Sequence, residues 1–140
     1  MTVQELTDFT PAYPVLLELR PNLGSLEDFL AQAKQQQAHG YRMIAAYDDG
    51  EVAAVAGFRA GLCFAWGHHV YVDDLVTAPS ARRRGHGAAL LEWIDAEARR
   101  IGAEQVHLDS GTHRHDAHRR YLASGFAISS FHFTKKTPEV

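Results

Sequence analysis

The sequence predicts a mixed α/β domain, and three observations lead to this fold class. Two short apolar runs flank Asp49-Gly50, a pair that is typical of the tight turn in a β-hairpin. Residues 72–91 change from the character of a strand to the three- and four-residue apolar spacing of a helix. A further strand is predicted at residues 105–109, so the strands before and after that helix are expected to be parallel, with a right-handed crossover.

Two helices are predicted before the hairpin. The first spans residues 11–19, where Pro11 is tolerated in the first turn. The second begins after Ser25, because Ser25-Leu26-Glu27-Asp28 resembles a capping arrangement, and it is expected to end at Gly40. A short first strand is expected at residues 3–6.

The remaining elements follow from the same patterns. The hairpin strands are predicted at residues 41–47 and 51–59, and the strand that enters the long helix at residues 69–77. The last helix is predicted at residues 114–124 and a closing strand at residues 126–135. Residues 61–67 are predicted to be an irregular connection. No repeat or linker interrupts the chain, so residues 1–140 are expected to form a single domain with one core.

Composition excludes several classes of protein. A formal net charge of −3 provides no basic footprint for nonspecific nucleic-acid binding, and no apolar run approaches the length of a membrane span. The first residues lack the features of a secretory signal, so a cytoplasmic protein is expected. Cys63 is the only cysteine, which excludes an internal disulfide and a multi-cysteine zinc site, and it is expected to be buried.

Residues 79–91 have the features of an anion-binding loop that leads into a helix. Pro79 cannot extend a sheet, and Gly85 and Gly87 have no Cβ to obstruct a ligand. The first N–H groups of a helix lack helical partners and attract anions, and three arginines precede them here. The motif GxxxxGK[ST] is absent and GxGxxG fails at its last glycine, so the loop predicts a phosphate or pyrophosphate site of another kind.

The string Arg82-Arg83-Arg84-Gly85-His86-Gly87 fits the pattern [Q/R]xxGx[G/A] and resembles the acetyl-CoA loop of the GCN5-related N-acetyltransferase (GNAT) superfamily. Residues 114–126 are similar to the family pattern Asn-x-x-Ala-x-x-x-Tyr-x-x-x-Gly-Phe, although Arg114 replaces the asparagine. Residues 74–79 also resemble the strand that precedes the family loop. The resemblance implies a mostly antiparallel sheet with one parallel pair, in the order strand, two helices, three strands, helix, strand, helix, strand.

The resemblance also implies acetyl-CoA as the cosubstrate and a set of residues that bind it. Backbone groups of the entering strand would contact pantetheine, the loop N–H groups would hold the pyrophosphate, and two later residues would add contacts to the cofactor. These residues are Leu75, Val76, Thr77, Arg82, Arg83, Arg84, Gly85, His86, Gly87, Ala88, Ser110 and Arg114. Ser110 has the alternative role of capping the next turn.

Three residues are candidates for the chemistry of acetyl transfer. A phenol stays protonated at neutral pH, so Tyr121 is suited to protonate the departing thiolate. Asp73 and Asp74 are candidates to help deprotonate the acceptor amine, and strand alternation predicts that they lie on opposite faces. One of the two is expected to face the acceptor and the other to be structural.

The leading hypothesis is an N-acetyltransferase that acts directly on a primary amine of a small molecule. The alternatives are acetylation of a protein lysine or N-terminus, a noncatalytic CoA-binding module, and a phosphate-binding domain unrelated to acyl transfer. His68, His69 and His132 are candidates to line the acceptor side, and the alternative for them is exposure to solvent. No metal is expected at the histidines of residues 113–118. Family members often dimerise, and Phe131 and Phe133 would supply apolar contacts for a homodimer.

Overall fold

A computed structural model describes residues 1–139. They divide into two compact units, Met1–Leu108 and the described residues from Asp109 onwards. The elements of the first unit are β1 (Thr2–Leu6), α1 (Tyr13–Leu19), α2 (Leu26–Ala38), β2 (Arg42–Asp48), β3 (Glu51–Cys63), β4 (Gly67–Thr77), α3 (His86–Arg100) and β5 (Gln105–Leu108). The second unit contains α4 (His115–Ala123). Short 3-10 turns precede α1 and α3, at Thr10–Ala12 and Pro79–Ala81.

The strands of the described residues form one five-stranded sheet in the order β1-β2-β3-β4-β5. The first four strands are antiparallel to their neighbours, and β5 is parallel to β4. A parallel neighbour requires a crossover connection, which α3 provides here. The predicted fold class, a mixed and mostly antiparallel sheet with one parallel pair, is confirmed.

Helices cover both faces of this sheet. Arg42 of β2 forms an ion pair with Glu97 of α3, whereas the next residue, Met43, belongs to the apolar cluster that includes residues of α1 and α2. Successive side chains of a strand point to opposite faces, so α3 lies on one face and α1 with α2 on the other. Phe58 of β3 faces α3, since its ring lies 6.0 Å from that of Trp93.

Local sequence signals explain the first helices and the hairpin. The Ser25 side chain accepts a hydrogen bond from the Asp28 N–H, and the Asp28 carboxylate accepts one from the Ser25 N–H, so the predicted cap of α2 is confirmed. Asp49 and Gly50 adopt φ angles of 52° and 80° between β2 and β3. Positive φ at both central residues is the geometry that Asp-Gly favours in a two-residue hairpin turn.

A β-bulge interrupts β4 at Asp73. Val72 pairs with Phe58 of β3 and Asp74 pairs with Gly57, so Asp73 has no counterpart in the register. A bulge adds one residue to one strand and shifts the alternation of the side chains that follow. The bulge therefore interrupts the alternation that predicted opposite faces for Asp73 and Asp74.

Three sequence predictions differ from the structure. Residues 126–139 contain no strand, and the alternation there breaks between Ile128 and Phe131, whose side chains are exposed and provide no burial to hold a strand. The hairpin of β3 and β4 extends to Cys63 and Gly67, where an irregular connection was predicted. Cys63 is exposed rather than buried, because it lies at the tip of this hairpin.

No helix among residues 1–139 has the length and apolar character that crossing a membrane requires.

Candidate active site

The loop before α3 leads into a helix start that has no side-chain cap. Arg83 and Gly85 have φ angles of 66° and 83°, and no side chain caps the start of α3 at His86. The first hydrogen bond across this helix start runs from the Ala89 N–H to the Gly85 carbonyl. A Cβ on Gly85 would meet no atom within 4 Å, so glycine is needed there for its φ angle rather than for space.

The loop arginines and the His86 side chain have different environments. Arg82, Arg83 and Arg84 are exposed, and Arg84 Nη1 lies 4.0 Å from Asp48 Oδ2. The imidazole of His86 is buried, with 2% of its surface exposed. Its Nδ1 lies 3.2 Å from the Ala81 carbonyl oxygen and its Nε2 3.2 Å from Asp48 Oδ2. The arginines thus face solvent, while the histidine ring joins the loop to the end of β2.

Strand β4 leaves part of its edge unpaired. Residues Leu75, Val76 and Thr77 are buried and pair with β3 on one side. On the other side, β5 pairs with β4 only from His69 to Val72 within the described residues. The backbone edge beyond Val72 therefore has no β5 partner among the described residues. Polar backbone groups in such a gap are available to a ligand that carries amide groups.

Both aspartates of β4 lie on the face of α1 and α2. Asp73 accepts hydrogen bonds from Arg59, including one of 2.9 Å from Nε to Oδ2. Arg59 and Gly57 are two residues apart on β3 and so share a face, and Asp74 lies opposite Gly57. The expected placement on opposite faces is wrong, because the bulge at Asp73 adds a residue between Val72 and Asp74.

Asp74 is held by two side chains from other elements. Tyr41, just before β2, donates a hydrogen bond of 2.7 Å to Asp74 Oδ2, and Arg20, just after α1, donates one of 3.0 Å from Nε to Oδ1. Burial and the negative charge of Asp74 raise the pKa of the Tyr41 hydroxyl well above its ordinary value, so this group acts as a donor. Asp74 is thereby fixed as an oriented carboxylate.

Tyr41 reaches Asp74 by passing over Gly57. Strand β3 separates β2 from β4, and a Cβ on Gly57 would lie 1.6 Å from the Tyr41 hydroxyl oxygen. Tyr41 and Arg20 were not predicted to belong to the site, because they lie far from Asp74 along the chain. One signal was present, because a glycine inside a strand often marks the close approach of another group.

A cavity of about 200 Å³ opens on this same face and includes Asp74 in its wall. The apolar part of the wall comes mostly from α1, α2 and β2, and the polar part includes Arg20, Tyr41 and three amide side chains. These amides are Asn22, Gln32 and Gln36. Asp73 and its partner Arg59 do not line this cavity. The structure thus distinguishes the two aspartates.

The second unit carries the other predicted site residues. Ala117 and Tyr121 are buried on α4, and the ring of Tyr121 lies 6.1 Å from that of Phe126. Arg114 is half-buried at the N-terminal end of α4. The Oγ of Ser110 is buried and has no hydrogen-bond partner among residues 1–139. An unsatisfied buried hydroxyl is costly, so it fits a position where a polar ligand atom completes the bond.

The histidines have varied surroundings. His69 contacts Cys63, Trp66 and His107, and it does not line the cavity that contains Asp74. Burial and the neighbouring His69 lower the pKa of His107, which stacks on Trp66. His68 is exposed. In the second unit, His132 Nδ1 lies 3.4 Å from Asp109 Oδ2.

Metal-ligating side chains do not converge in the part of the chain that the structure describes. No group of three or more His, Cys, Asp or Glu residues there has a geometry that would hold a metal ion. His115 and His118 have ring centroids 6.0 Å apart, and His118 Nε2 lies 2.8 Å from the Gly111 carbonyl oxygen. One of these two rings is thus bonded to the backbone of its own unit.

Known protein families and individual relatives were compared with this chain. The family model described as "Acetyltransferase (GNAT) family" matches residues 6–126. The chain belongs to the acetyltransferase (GNAT) family. It is 34% identical over 130 residues to the uncharacterized N-acetyltransferase YhdJ of Bacillus subtilis (strain 168), a match that covers 91% of each chain. As a GNAT protein with a relative of this kind, the chain is an acyltransferase enzyme.

Two further GNAT comparisons extend this result. The chain is 44% identical over 64 residues to the aminoalkylphosphonate N-acetyltransferase of Salmonella typhimurium (strain LT2), across 46% of this chain and 42% of that protein. The fold is similar to the structure of AAC(6')-Iy in complex with a bisubstrate analog, with a TM-score of 0.84, 15% identity and coverage of 98% and 97%. At that identity, the structural likeness concerns the fold alone.

Proposed function

We propose that this GNAT enzyme transfers the acetyl group of acetyl-CoA directly to a primary amine of a small molecule. The observation that carries the proposal is the continuity of the unpaired edge of β4 with the uncapped start of α3. An extended ligand with amide groups at one end and a pyrophosphate at the other matches this sequence of backbone groups. The bisubstrate complex of the structural neighbour AAC(6')-Iy, which contains CoA, supports the choice of cosubstrate.

The residues proposed to bind acetyl-CoA are those that match the motifs of the family. Backbone groups of Leu75, Val76 and Thr77 would bond the pantetheine amides, and the loop N–H groups of residues 82–88 would hold the pyrophosphate. Ser110 fits this reading because its buried hydroxyl lacks a protein partner among the described residues. Arg114 would pair with a phosphate through its guanidinium group. The family match spans both units, which supports a single catalytic domain over residues 1–140.

In this proposal Asp74 serves the acceptor. It lines the cavity and keeps an oriented carboxylate, whereas Asp73 is bound by Arg59 outside that cavity. Asp74 would bind the ammonium form of the acceptor and assist its deprotonation, directly or through water. Asp73 would then be the structural member of the pair.

Tyr121 is the proposed general acid. Acetyl-CoA supplies a thioester, and a proton donor beside the sulfur stabilises the thiolate that leaves when an amine attacks. A tyrosine hydroxyl carries such a proton at neutral pH. A backbone N–H of the β4 edge would donate to the oxyanion of the tetrahedral intermediate.

A panel of amines with acetyl-CoA tests the proposal. The expected result is CoA release with one class of small amine, such as aminoalkylphosphonates, and no release with peptides that carry a lysine or a free N-terminus. CoA release should be followed by chromatography or in a Cys63→Ser variant, because the exposed Cys63 thiol would itself react with a thiol reagent. Release with peptides alone would contradict a small-molecule acceptor.

Thermal shifts separate the remaining alternatives. Stabilisation by CoA without any release would favour a noncatalytic CoA-binding module, and stabilisation by ATP or phosphate but not CoA would favour an unrelated phosphate-binding domain. Acetyl-CoA is expected to stabilise the protein more than ATP does. Such a result, together with amine-dependent release, is the outcome that the proposal requires.

Location and assembly are part of the same proposal. A cytoplasmic protein is consistent with a single free cysteine and no disulfide. A homodimer would cover the exposed side chains of Ile128, Phe131 and Phe133, because exposed apolar clusters are typical of contact surfaces. Light scattering coupled to size exclusion measures the mass directly, and a monomer at micromolar concentration would exclude the dimer.

A further inference from the structure

We propose that the side chain of His86 is a positioning residue that clamps the loop before α3 in its binding conformation through Asp48. This inference rests on the proposed role of the loop in binding acetyl-CoA. The clamp is formed by the His86 imidazole and Asp48, which lies at the hairpin of β2 and β3. The cofactor would instead bind the backbone of the loop.

The two ring nitrogens of His86 hold two separate parts of the chain. Nδ1 lies 3.2 Å from the carbonyl oxygen of Ala81, which is the last residue of the 3-10 turn before the loop. Nε2 lies 3.2 Å from Oδ2 of Asp48, which is the last residue of β2. The first contact links the two ends of the segment of residues 81–86, and the second joins this segment to the sheet.

The two partners of the ring limit how it can form hydrogen bonds. A carbonyl oxygen and a carboxylate oxygen are both acceptors, and a neutral imidazole donates from one nitrogen only. A ring nitrogen that carries a proton therefore donates to one of these two oxygens, and Asp48 is the acidic partner of the ring.

Burial shows that the ring is built into the fold rather than resting on its surface. Only 2% of the surface of His86 is exposed, whereas its neighbours Arg84 and Gly85 are exposed. Between the two clamped ends, Arg83 adopts a φ angle of 66°, a conformation that a non-glycine residue rarely holds without support. The clamp therefore accounts for a loop that keeps this strained backbone conformation at Arg83.

Three variants test the clamp. Asp48→Ala removes the acceptor at Nε2, whereas Asp48→Asn provides an amide N–H to a neutral imidazole and keeps the link without the charge. Glu51→Ala is the matched control, because it removes a carboxylate from the residue that pairs with Asp48 across the same turn. Both positions are on the hairpin and away from the core, and thermal denaturation verifies that each variant is folded.

The measurements are the Kd of CoA by calorimetry, the KM of acetyl-CoA, kcat, and the hydrogen exchange of the amides of residues 82–88. For Asp48→Ala we expect Kd and KM to rise about tenfold or more with kcat unchanged, and loop exchange to be faster. Asp48→Asn should recover most of the affinity, and Glu51→Ala should match the wild type. A merely structural role would lower thermal stability without this separation of KM from kcat.

Two results would overturn the inference. One is a CoA affinity of Asp48→Ala equal to that of Glu51→Ala, and the other is loop exchange that does not differ between these variants. If the wild type itself binds no CoA, the proposed cosubstrate fails, and hydrogen exchange alone still decides whether Asp48 clamps the loop. The failure of the clamp and the failure of the proposed function thus give different data.

Discussion

The loop before α3 and the cavity beside α1 and α2 both contain charged groups, but these groups are exposed in the loop and hydrogen-bonded to other side chains in the cavity. In the loop, Arg82 and Arg83 are exposed and the helix start has no side-chain cap. In the cavity, the carboxylate of Asp74 already accepts hydrogen bonds from Tyr41 and Arg20. The loop is thus suited to take up a free polyanion, while the cavity keeps one carboxylate in a single orientation for a smaller polar partner.

Two glycines illustrate the same contrast. Gly57 is needed in the cavity region because the Tyr41 hydroxyl occupies the space of a Cβ, at 1.6 Å. Gly85 is needed in the loop because its φ angle is 83°, while the space around it is open. One glycine therefore serves packing between distant residues, and the other serves a local backbone conformation.

The largest effect is expected at Tyr121, which lies outside both regions. Tyr121→Phe should lower kcat by about 100-fold or more, because the phenyl ring packs similarly but cannot donate a proton. The measurement is steady-state CoA release with a saturating amine. The Kd of CoA should stay near the wild-type value, and an unchanged kcat would remove the acid role.

Asp74→Asn sharpens the comparison from the cavity side. We expect kcat/KM for the amine to fall about 10- to 100-fold, since a hydrogen bond to a charged group is lost, while the Kd of CoA does not change. Asp73→Asn is the matched control and should cost less, because Asp73 does not line the cavity. Equal losses in the two variants would contradict the distinction between the aspartates.

Gly57→Ala tests whether the cavity depends on the passage of Tyr41. The added methyl group should lower the free energy of unfolding by about 1–3 kcal/mol, as overpacking does, and should also raise the KM of the amine. Urea denaturation and steady-state kinetics measure the two effects. In a Tyr41→Ala background, Gly57→Ala should lower the free energy of unfolding much less than it does in the wild type. Strict additivity of the two changes in free energy would exclude direct contact.

Gly85→Ala makes the corresponding test in the loop. Its φ angle of 83° is matched by the 80° of Gly102 at the other end of α3, and neither glycine has an atom within 4 Å of an added Cβ. Both alanine variants should lose about 1 kcal/mol in the free energy of unfolding, because the left-handed conformation disfavours a Cβ. Only Gly85→Ala should weaken CoA binding in calorimetry, and a similar weakening in Gly102→Ala would refute a specific role of the loop.

The smallest effect at neutral pH concerns an ion network between β2 and α3. Hydrogen bonds from Arg100, and then from Arg42, lower the pKa of Glu97 from 4.5 to about 2. Because folding lowers the pKa of Glu97, its carboxylate stabilises the folded state fully above about pH 4.5. This contribution to the free energy of unfolding is lost as the pH falls towards 2. The Tm of the wild type should therefore fall over this interval, and the fall should be smaller in Glu97→Gln. Equal pH dependence of Tm in both proteins would contradict the ion pairing.

Local patterns predicted much of the fold and one half of the candidate site. The cap at Ser25, the Asp49-Gly50 turn and the glycine loop depend on residues that are neighbours in the chain, and the structure contains all three. The strand predicted at residues 126–135 failed because exposed aromatic residues were interpreted as a buried strand. Strand pairing depends on distant partners, which local alternation does not reveal.

The sequence by itself determined the loop of residues 82–88, because a positive φ at glycine and a helix start with unpaired N–H groups are properties of a short segment. Only the tertiary structure decided how the aspartates of β4 are used. Tyr41, Arg20 and Arg59 reach them from three other parts of the chain, and the bulge at Asp73 places both carboxylates on one face. Such an arrangement follows from strand register and long-range packing, which no short stretch of residues specifies.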